Sequence, residues 1–427
     1  MRAVVVDVVR GRPEVREVPE PVAPPGGVVV RVLATGLCRS DWHGWAGHDD
    51  DIVFPHVPGH ELAGVVASVG PGVERWAVGD RVTVPFVCGC GRCEWCRAGD
   101  AQVCPDQQQP GFTHWGSFAE LVVLHAADTN LVAIPASVDF AAAASLGCRF
   151  ATAYRGLAGR ARVAAGEWVT VVGAGGVGLS AVMIARAMGA RVIAVDRNPE
   201  ALAVAAAVGA EHTLLADPAD PADRADRADP ADRADRADRA DRADRADRAD
   251  HADRADRADR AGRADGPDAA RGPDAARGPV DARGPAGARG SRGADSSGGA
   301  DIPALVAELT GGGSHVSVDA VGSEQTCADA ILSLRRRGRH VQIGLLPSLD
   351  GHPRAPLSRV IGWELDVLGS HGMAAVDYPG MLALIEQGRL QPQRLIERTV
   401  GLAEGARLLP GFDQATPAGM TMIDPSR

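Results

Sequence analysis

The sequence predicts an α/β protein in two parts, a β-rich N-terminal domain and a doubly wound parallel-sheet domain, with a low-complexity insertion in the second. Three observations carry this. Short Val-rich runs alternate with turn residues through the first 125 residues or so. A glycine fingerprint then sits between a buried strand and an apolar helix near residue 173. Strand and helix patterns alternate from there, and they resume after a long repetitive stretch. At 427 residues the chain has room for two or three domains, and its 45% hydrophobic content is ordinary for a globular protein.

In the first part the predicted strands are 4–9, 28–33, 65–69, 82–84 and 121–124. Residues 19–27, Pro-Glu-Pro-Val-Ala-Pro-Pro-Gly-Gly, cannot be regular structure, because proline lacks the donor N–H. Gly64, Gly70, Gly72 and Gly79-Asp80 fall where tight turns belong. Many short strands at this spacing predict a barrel-like domain. From residue 140 the pattern changes. Helices are expected at 140–144 and 152–157, a buried strand at 167–172, a helix at 179–188 and a strand at 191–195. A helix at 199–208 and a strand at 212–215 follow. Beyond the insertion come helices at 302–309, 325–334, 378–387 and 402–409 and strands at 316–320, 340–344 and 365–368.

Residues 216–299 are Ala-Asp-Arg tripeptides that decay into Gly-Pro-Asp-Ala-Ala-Arg variants. A three-residue period drifts by about 60° per repeat on a helix, so no apolar face forms. In the regular part each Asp has an Arg four residues later, which favours an exposed helix of ion pairs; the Gly/Pro part is expected to be disordered. The stretch reads as an expanded insertion in a surface loop, tolerated because long loops cost little extra. A charged adaptor for a partner is the alternative. Without it roughly 340 residues remain, enough for a two-domain enzyme.

Composition narrows the functional classes. The net charge of −10 disfavours nucleic acid and anionic membrane surfaces as partners. All 45 basic residues are arginine, scattered along the chain, which reads as compositional bias. The start lacks the apolar core of a signal peptide, and no apolar run is long enough to span a bilayer. A reducing cytoplasm is the expected location. Eight cysteines at these spacings point to metal rather than disulfides.

Two sets of residues carry the chemistry. Cys90, Cys93 and Cys96 stand at three-residue steps and Cys104 closes the group; four thiolates surround a zinc with no open position, a structural site. Such a site contributes on the order of 10 kcal/mol to its lobe. Cys88 is a bystander. Cys38, His60 and Cys148 would make a three-ligand zinc site with one position open, as a catalytic zinc requires. The fingerprint is Gly173-Ala174-Gly175-Gly176-Val177-Gly178, with Asp196 at the end of the next strand. Its glycines let the backbone approach a dinucleotide pyrophosphate at the helix N-terminus. Asp196 would accept the adenosine ribose hydroxyls and repel a 2′-phosphate, so NAD is favoured over NADP; Arg197 beside it is the feature that could accept that phosphate.

With Gly59-His60-Glu61-Leu62-Ala63-Gly64, then Gly70 and Val73, and with Cys38-Arg39-Ser40-Asp41-Trp42-His43, the chain resembles a zinc-containing alcohol dehydrogenase of the medium-chain dehydrogenase/reductase superfamily. The likeness covers nearly everything except 216–299. It implies a GroES-like catalytic domain at 1–146 and 366–427 and a Rossmann domain at 147–365, with the active site in the cleft between them. It implies two zinc ions per chain, a hydride exchanged between a primary or secondary alcohol (or its aldehyde or ketone) and NAD, and a homo-oligomer, dimer or tetramer. Cys38, His60 and Cys148 match the catalytic ligands. Ser40 would take the substrate proton, and the cofactor ribose and His43 would carry it to solvent. Asp41 would orient His60, and Arg39 would face the pyrophosphate. Glu61 would approach the metal during ligand exchange or sit in a buried ion pair with an arginine. Phe86, Trp42, Trp45 and Trp115 are candidate pocket walls. Competing readings are a polyol, threonine or formaldehyde dehydrogenase, a zinc-free quinone or enoyl reductase, and a non-catalytic interaction protein acting through the repeat.

Overall fold

Strand β3 (Val28–Leu37) is the spine of the first sheet, and the reason is its composition: Val-Val-Val-Arg-Val-Leu-Ala-Thr-Gly-Leu is β-branched at its start and buried along most of its length. The computed structural model describes residues 1–216, 301–346, 352–413 and 418–427. Beyond Ala216 the Ala-Asp-Arg stretch, with its expected helix of ion pairs and its expected disorder, lies outside the described residues. The strands are β1 (Arg2–Val5), β2 (Glu14–Glu17), β3 (Val28–Leu37), β4 (Glu61–Val69), β5 (Arg81–Thr83), β6 (Leu121–Leu124), β7 (Val132–Ala133), β8 (Trp168–Val172), β9 (Arg191–Asp196), β10 (His212–Leu215), β11 (Ser314–Asp319), β12 (Leu334–Gln342), β13 (Asp366–Gly369), β14 (Ile396–Gly401) and β15 (Met420–Asp424). Among the described residues no helix is long and apolar enough to cross a membrane.

A seven-stranded sheet runs β14-β15-β3-β4-β5-β7, with β6 also on β3. One edge of β3 takes β4; the other takes β6 along its first half and β15 at its end. The pair Thr421↔Leu37 brings the last strand of the chain up to the residue before Cys38. β1 and β2 form a separate antiparallel pair.

The second sheet is six-stranded and wholly parallel, in the order β10-β9-β8-β11-β12-β13. Its first strand, β8, is central and buried at every residue, as expected of a sheet covered on both faces. Strand order reverses between β8 and β11, the switch point where such sheets open a crevice at their carboxyl ends. A helical run from Phe140 to Ala161 lies against both sheets: one core cluster joins Ala34, Ala63 and Met420 of the first sheet to Phe150 and Leu157 of the run and Val169 and Val318 of the second.

Sequence expectation and structure differ in places. The strand expected at 4–9 stops at Val5, leaving only an isolated bridge from Val6 to His56. β4 begins at Glu61, directly after His60, rather than at 65. Ser333 ends the helix expected to reach 334, and Leu334 already opens β12. The return to the first domain, placed at 365/366, comes later: β13 pairs Asp366 with Arg339 as the edge of the parallel sheet, which therefore runs to Gly369.

Candidate active site

The short helix Arg39–Trp45 begins where β3 ends, and its start is fixed by one carboxylate. Asp41 Oδ2 accepts from the Cys38 backbone N–H at 2.8 Å, and the Asp41 N–H bonds back to the Cys38 carbonyl at 3.1 Å. The other oxygen, Oδ1, accepts from Gly59 N–H at 3.1 Å and bonds His60 Nδ1 at 2.9 Å. Both partners of that last bond have fully buried side chains. With Nδ1 engaged, His60 is left with Nε2, which is buried and has no hydrogen-bond partner among the described residues.

Cys148 comes from the helical run. The turn Leu146–Phe150 is π-helical, and such a widened turn is characteristic of functional sites. It places the Cys148 sulfur with Cys38, His60 and Glu61 so that one donor atom from each lies within 4.8 Å of the others. The sulfurs share a proton unequally. A hydrogen bond from Cys148, then the nearby His60 and Arg149, outweigh burial and hold the Cys38 thiol far below its ordinary value; the same bond pushes Cys148 up. Burial is the largest single effect on His60 and disfavours its charge, yet Asp41 and the Cys38 thiolate overcome it and the imidazole ends well above its ordinary value. Two sulfurs and an imidazole nitrogen without a hydrogen-bond partner thus lie together in the pocket. That is the donor set a zinc ion would satisfy.

The second group fits a closed metal site. Sulfurs of Cys90, Cys93, Cys96 and Cys104 lie within 4.8 Å of one another, and Cys93 and Cys104 are 3.7 Å apart. Zn–S bonds of about 2.3 Å in a tetrahedron put sulfurs about 3.8 Å apart. Backbone N–H groups of Arg92 and Cys93 lower the Cys90 thiol to about 6, so it is a thiolate at neutral pH. Cys88 is separate: its buried sulfur faces the Pro85 carbonyl, and burial alone raises it to about 12.

At the nucleotide turn, Gly173 has φ +94° and the helix Gly176–Ala187 follows. A Cβ on Gly178 would stand 1.7 Å from the Gly173 carbonyl oxygen, whereas one on Gly175 would meet nothing within 4 Å. The crevice over Gly175 is therefore open to a ligand while the turn beneath it is closed. Val177 is half-buried beside it. Asp196 ends β9 with its carboxylate on the Ala174 and Asn198 N–H groups, at the tip of the turn; Arg197 next to it is exposed.

Residues 24–136 match the alcohol dehydrogenase GroES-like domain, and residues 176–235 with 292–387 match the zinc-binding dehydrogenase domain. The chain belongs to the zinc-type alcohol dehydrogenases of the medium-chain superfamily. An alcohol dehydrogenase of Geobacillus stearothermophilus is 40% identical over 215 residues, 49% of this chain and 62% of the relative. One of Rhizobium meliloti (strain 1021) is 42% identical over 207 residues, 47% of this chain and 59% of the relative. The matched region is thus less than two thirds of the length of these curated relatives. The crystal structure of an NAD-dependent alcohol dehydrogenase superposes with a TM-score of 0.72 at 27% identity, covering 99% of each chain.

Within this zinc-type dehydrogenase frame the other sequence-derived residues have the following places. Ser40 is half-buried with its Oγ 3.8 Å from the Cys38 sulfur. His43, three residues along the same helix, bonds His48 through Nδ1 at 2.9 Å; His48 was not among the expected residues. Arg39 is exposed at the start of that helix. Glu61 is fully buried and paired with Arg149, the residue after Cys148. The aromatic expectations divide. Phe86 packs edge-on to His60 with ring centroids 6.1 Å apart, and Phe112, which the sequence reading missed, lies tilted against the same ring at 5.2 Å. Trp42 and Trp45 instead join a core with Leu37, Phe118 and Leu409, because their helix packs that face inward. Trp115 lies in a separate groove with Met1 and Val22, its indole N–H donating to the Pro55 carbonyl.

Proposed function

We propose that the chain is a zinc-dependent dehydrogenase that transfers a hydride between a primary or secondary alcohol and NAD. The observation that carries this reading is the buried, unpartnered Nε2 of His60 facing the Cys38 and Cys148 sulfurs. Those three residues would hold a zinc with one side open, and zinc bound there supplies Lewis-acid polarisation of a substrate oxygen. Cys90, Cys93, Cys96 and Cys104 would hold a second, structural zinc.

This chain's residues do the rest. Asp41 fixes the imidazole orientation by holding Nδ1. Phe86 and Phe112 give the cluster apolar walls that exclude water. Ser40 receives the hydroxyl proton, and His43, with His48 beside it, hands it to solvent. Arg39 and the backbone of Gly173, Gly175, Gly176, Val177 and Gly178 receive the coenzyme pyrophosphate, and Asp196 accepts the ribose hydroxyls, which favours NAD. The GroES-like domain takes 1–146 and the C-terminal residues beyond β13, the Rossmann domain what lies between. The assembly is a cytoplasmic homo-oligomer, which light scattering checks for the dimer or tetramer.

The deciding experiment is a coenzyme-reduction screen over primary, secondary, aromatic and polyol alcohols, with zinc measured on the same sample. NAD reduction by an alcohol with two zinc ions per chain is the expected result. Full activity in a Cys38→Ser variant, or in protein free of zinc, would sink the mechanism.

A further inference from the structure

Arg149 is 5% exposed and follows directly on Cys148. Its backbone N–H and its Nε donate to Glu61 Oε1 at 3.0 and 2.9 Å, Nε also reaches Oε2 at 3.0 Å, and Nη2 closes on Oε2. A guanidinium keeps its charge even when buried, so the residue is cationic here. The pair has shaped the strand beneath: a Cβ on Gly36 would fall 2.1 Å from Glu61 Oε2 and 2.7 Å from Arg149 Nη2. One nitrogen, Nη1, has no hydrogen-bond partner among the described residues. It lies 3.2 Å from where a Cβ on Gly176 would stand, with Arg149 Cδ at 2.4 Å. Gly176 is the first residue of the helix Gly176–Ala187, whose opening N–H groups have no partner within the helix and attract anions. A single guanidinium therefore touches both the carboxylate of the metal cluster and the anion-receiving end of the nucleotide turn.

We propose that Arg149 binds the coenzyme pyrophosphate through Nη1 while holding Glu61, so that coenzyme binding and metal retention are linked through one side chain. The inference rests on the dehydrogenase reading and deepens it. A pyrophosphate at the turn draws the guanidinium's charge away from Glu61. That carboxylate, already within 4.8 Å of the three zinc-type donors, is then freer to turn towards the metal. Coenzyme thus tightens the hold on zinc, and by thermodynamic reciprocity zinc tightens coenzyme binding.

The test uses zinc-loaded full-length protein, wild type against Arg149→Gln and Arg149→Lys. ADP-ribose is titrated by calorimetry, with AMP as the control that lacks the pyrophosphate. Zinc release to a chromophoric chelator is followed with and without ADP-ribose, and the catalytic phase is assigned by its absence in Cys38→Ser. Wild type is expected to release catalytic zinc about fivefold more slowly with ADP-ribose bound. Arg149→Gln is expected to bind ADP-ribose about tenfold or more weakly, to bind AMP unchanged, and to release zinc at a rate indifferent to ADP-ribose. Arg149→Lys, which keeps the charge but not the fork, should recover part of the affinity and little of the linkage. Unchanged ADP-ribose binding in either variant, or zinc release in wild type that ignores ADP-ribose, overturns the inference. The wild-type measurement decides even if a variant does not fold. Wild type that binds no ADP-ribose at all would instead overturn the dehydrogenase reading.

Discussion

Two alanine substitutions three residues apart separate the architecture of the nucleotide turn from its use. At Gly178 an added Cβ would sit 1.7 Å from the Gly173 carbonyl oxygen and 2.8 Å from its carbon, both backbone atoms. Contact at that range cannot be relieved by rotating a side chain, so the helix must move off the turn. Overpacking of this kind costs about 3 kcal/mol. At Gly175 the Cβ meets nothing within 4 Å, and the backbone, at φ −79° and ψ −167°, is one that alanine adopts freely. Its stability cost is below about 1 kcal/mol, the loss expected at a helix N-cap. The methyl group nevertheless stands in the crevice a pyrophosphate would enter, so ADP-ribose should bind at least about tenfold more weakly, or 1.4 kcal/mol. Thermal melting and calorimetry on the same two proteins read both effects. Gly178→Ala should melt early; Gly175→Ala should melt like wild type and fail to bind. Gly175→Ala with wild-type affinity, or Gly178→Ala with wild-type melting, would refute the reasoning.

Other outcomes follow from the same geometry. Asp41→Asn loses the carboxylate that holds His60 Nδ1, and zinc affinity at that site should fall about 10- to 100-fold in a competition assay. Cys38→Ser should lower bound zinc from two ions to one per chain by elemental analysis and reduce alcohol oxidation at least about a thousandfold. His114 is held near a pKa of about 4 by burial and by the neighbouring His125. The unfolded chain therefore takes up this proton first, so stability present above about pH 6.5 declines as the pH falls towards 4. His114→Gln should flatten that part of a denaturant-midpoint against pH curve. Replacing residues 217–299 by a short Gly/Ser linker should leave zinc content and ADP-ribose binding unchanged, and loss of either in folded protein would show that the repeat is not passive.

Residue chemistry was the legible part of the sequence. Cys38, His60, Cys148 and the four-cysteine group could be grouped from the sequence because sulfur and imidazole at those spacings have few other uses, and the structure brings each group's donor atoms together; the strand-turn-helix around Gly173 announces itself locally. Partnership across the fold was not legible. Glu61 and Arg149 are 88 positions apart, and only the packing of the helical run on β4 shows that they meet. Nor does an aromatic residue declare which face it lines: Trp42 looked like a pocket wall and is core, while Phe112 looked like nothing and packs on His60. β14 and β15 were missed because Ile-Glu-Arg-Thr-Val-Gly and Met-Thr-Met-Ile-Asp lack a strong period, and they gain strand identity from pairing with each other and with β3.

The bonds of Asp41 bear on the order in which the protein is made. One carboxylate ties the N–H of Cys38 to the N–H of Gly59 and the ring of His60, so two candidate metal donors 22 residues apart are aligned by folding alone. Metal would arrive last at that pocket, entering a finished cavity. The four-cysteine loop is different in kind: its sulfurs are held by short helical turns with little apolar packing, so there metal and fold would have to come together. A newly synthesised chain starved of zinc would then lose the loop while keeping the pocket shaped and ready to load.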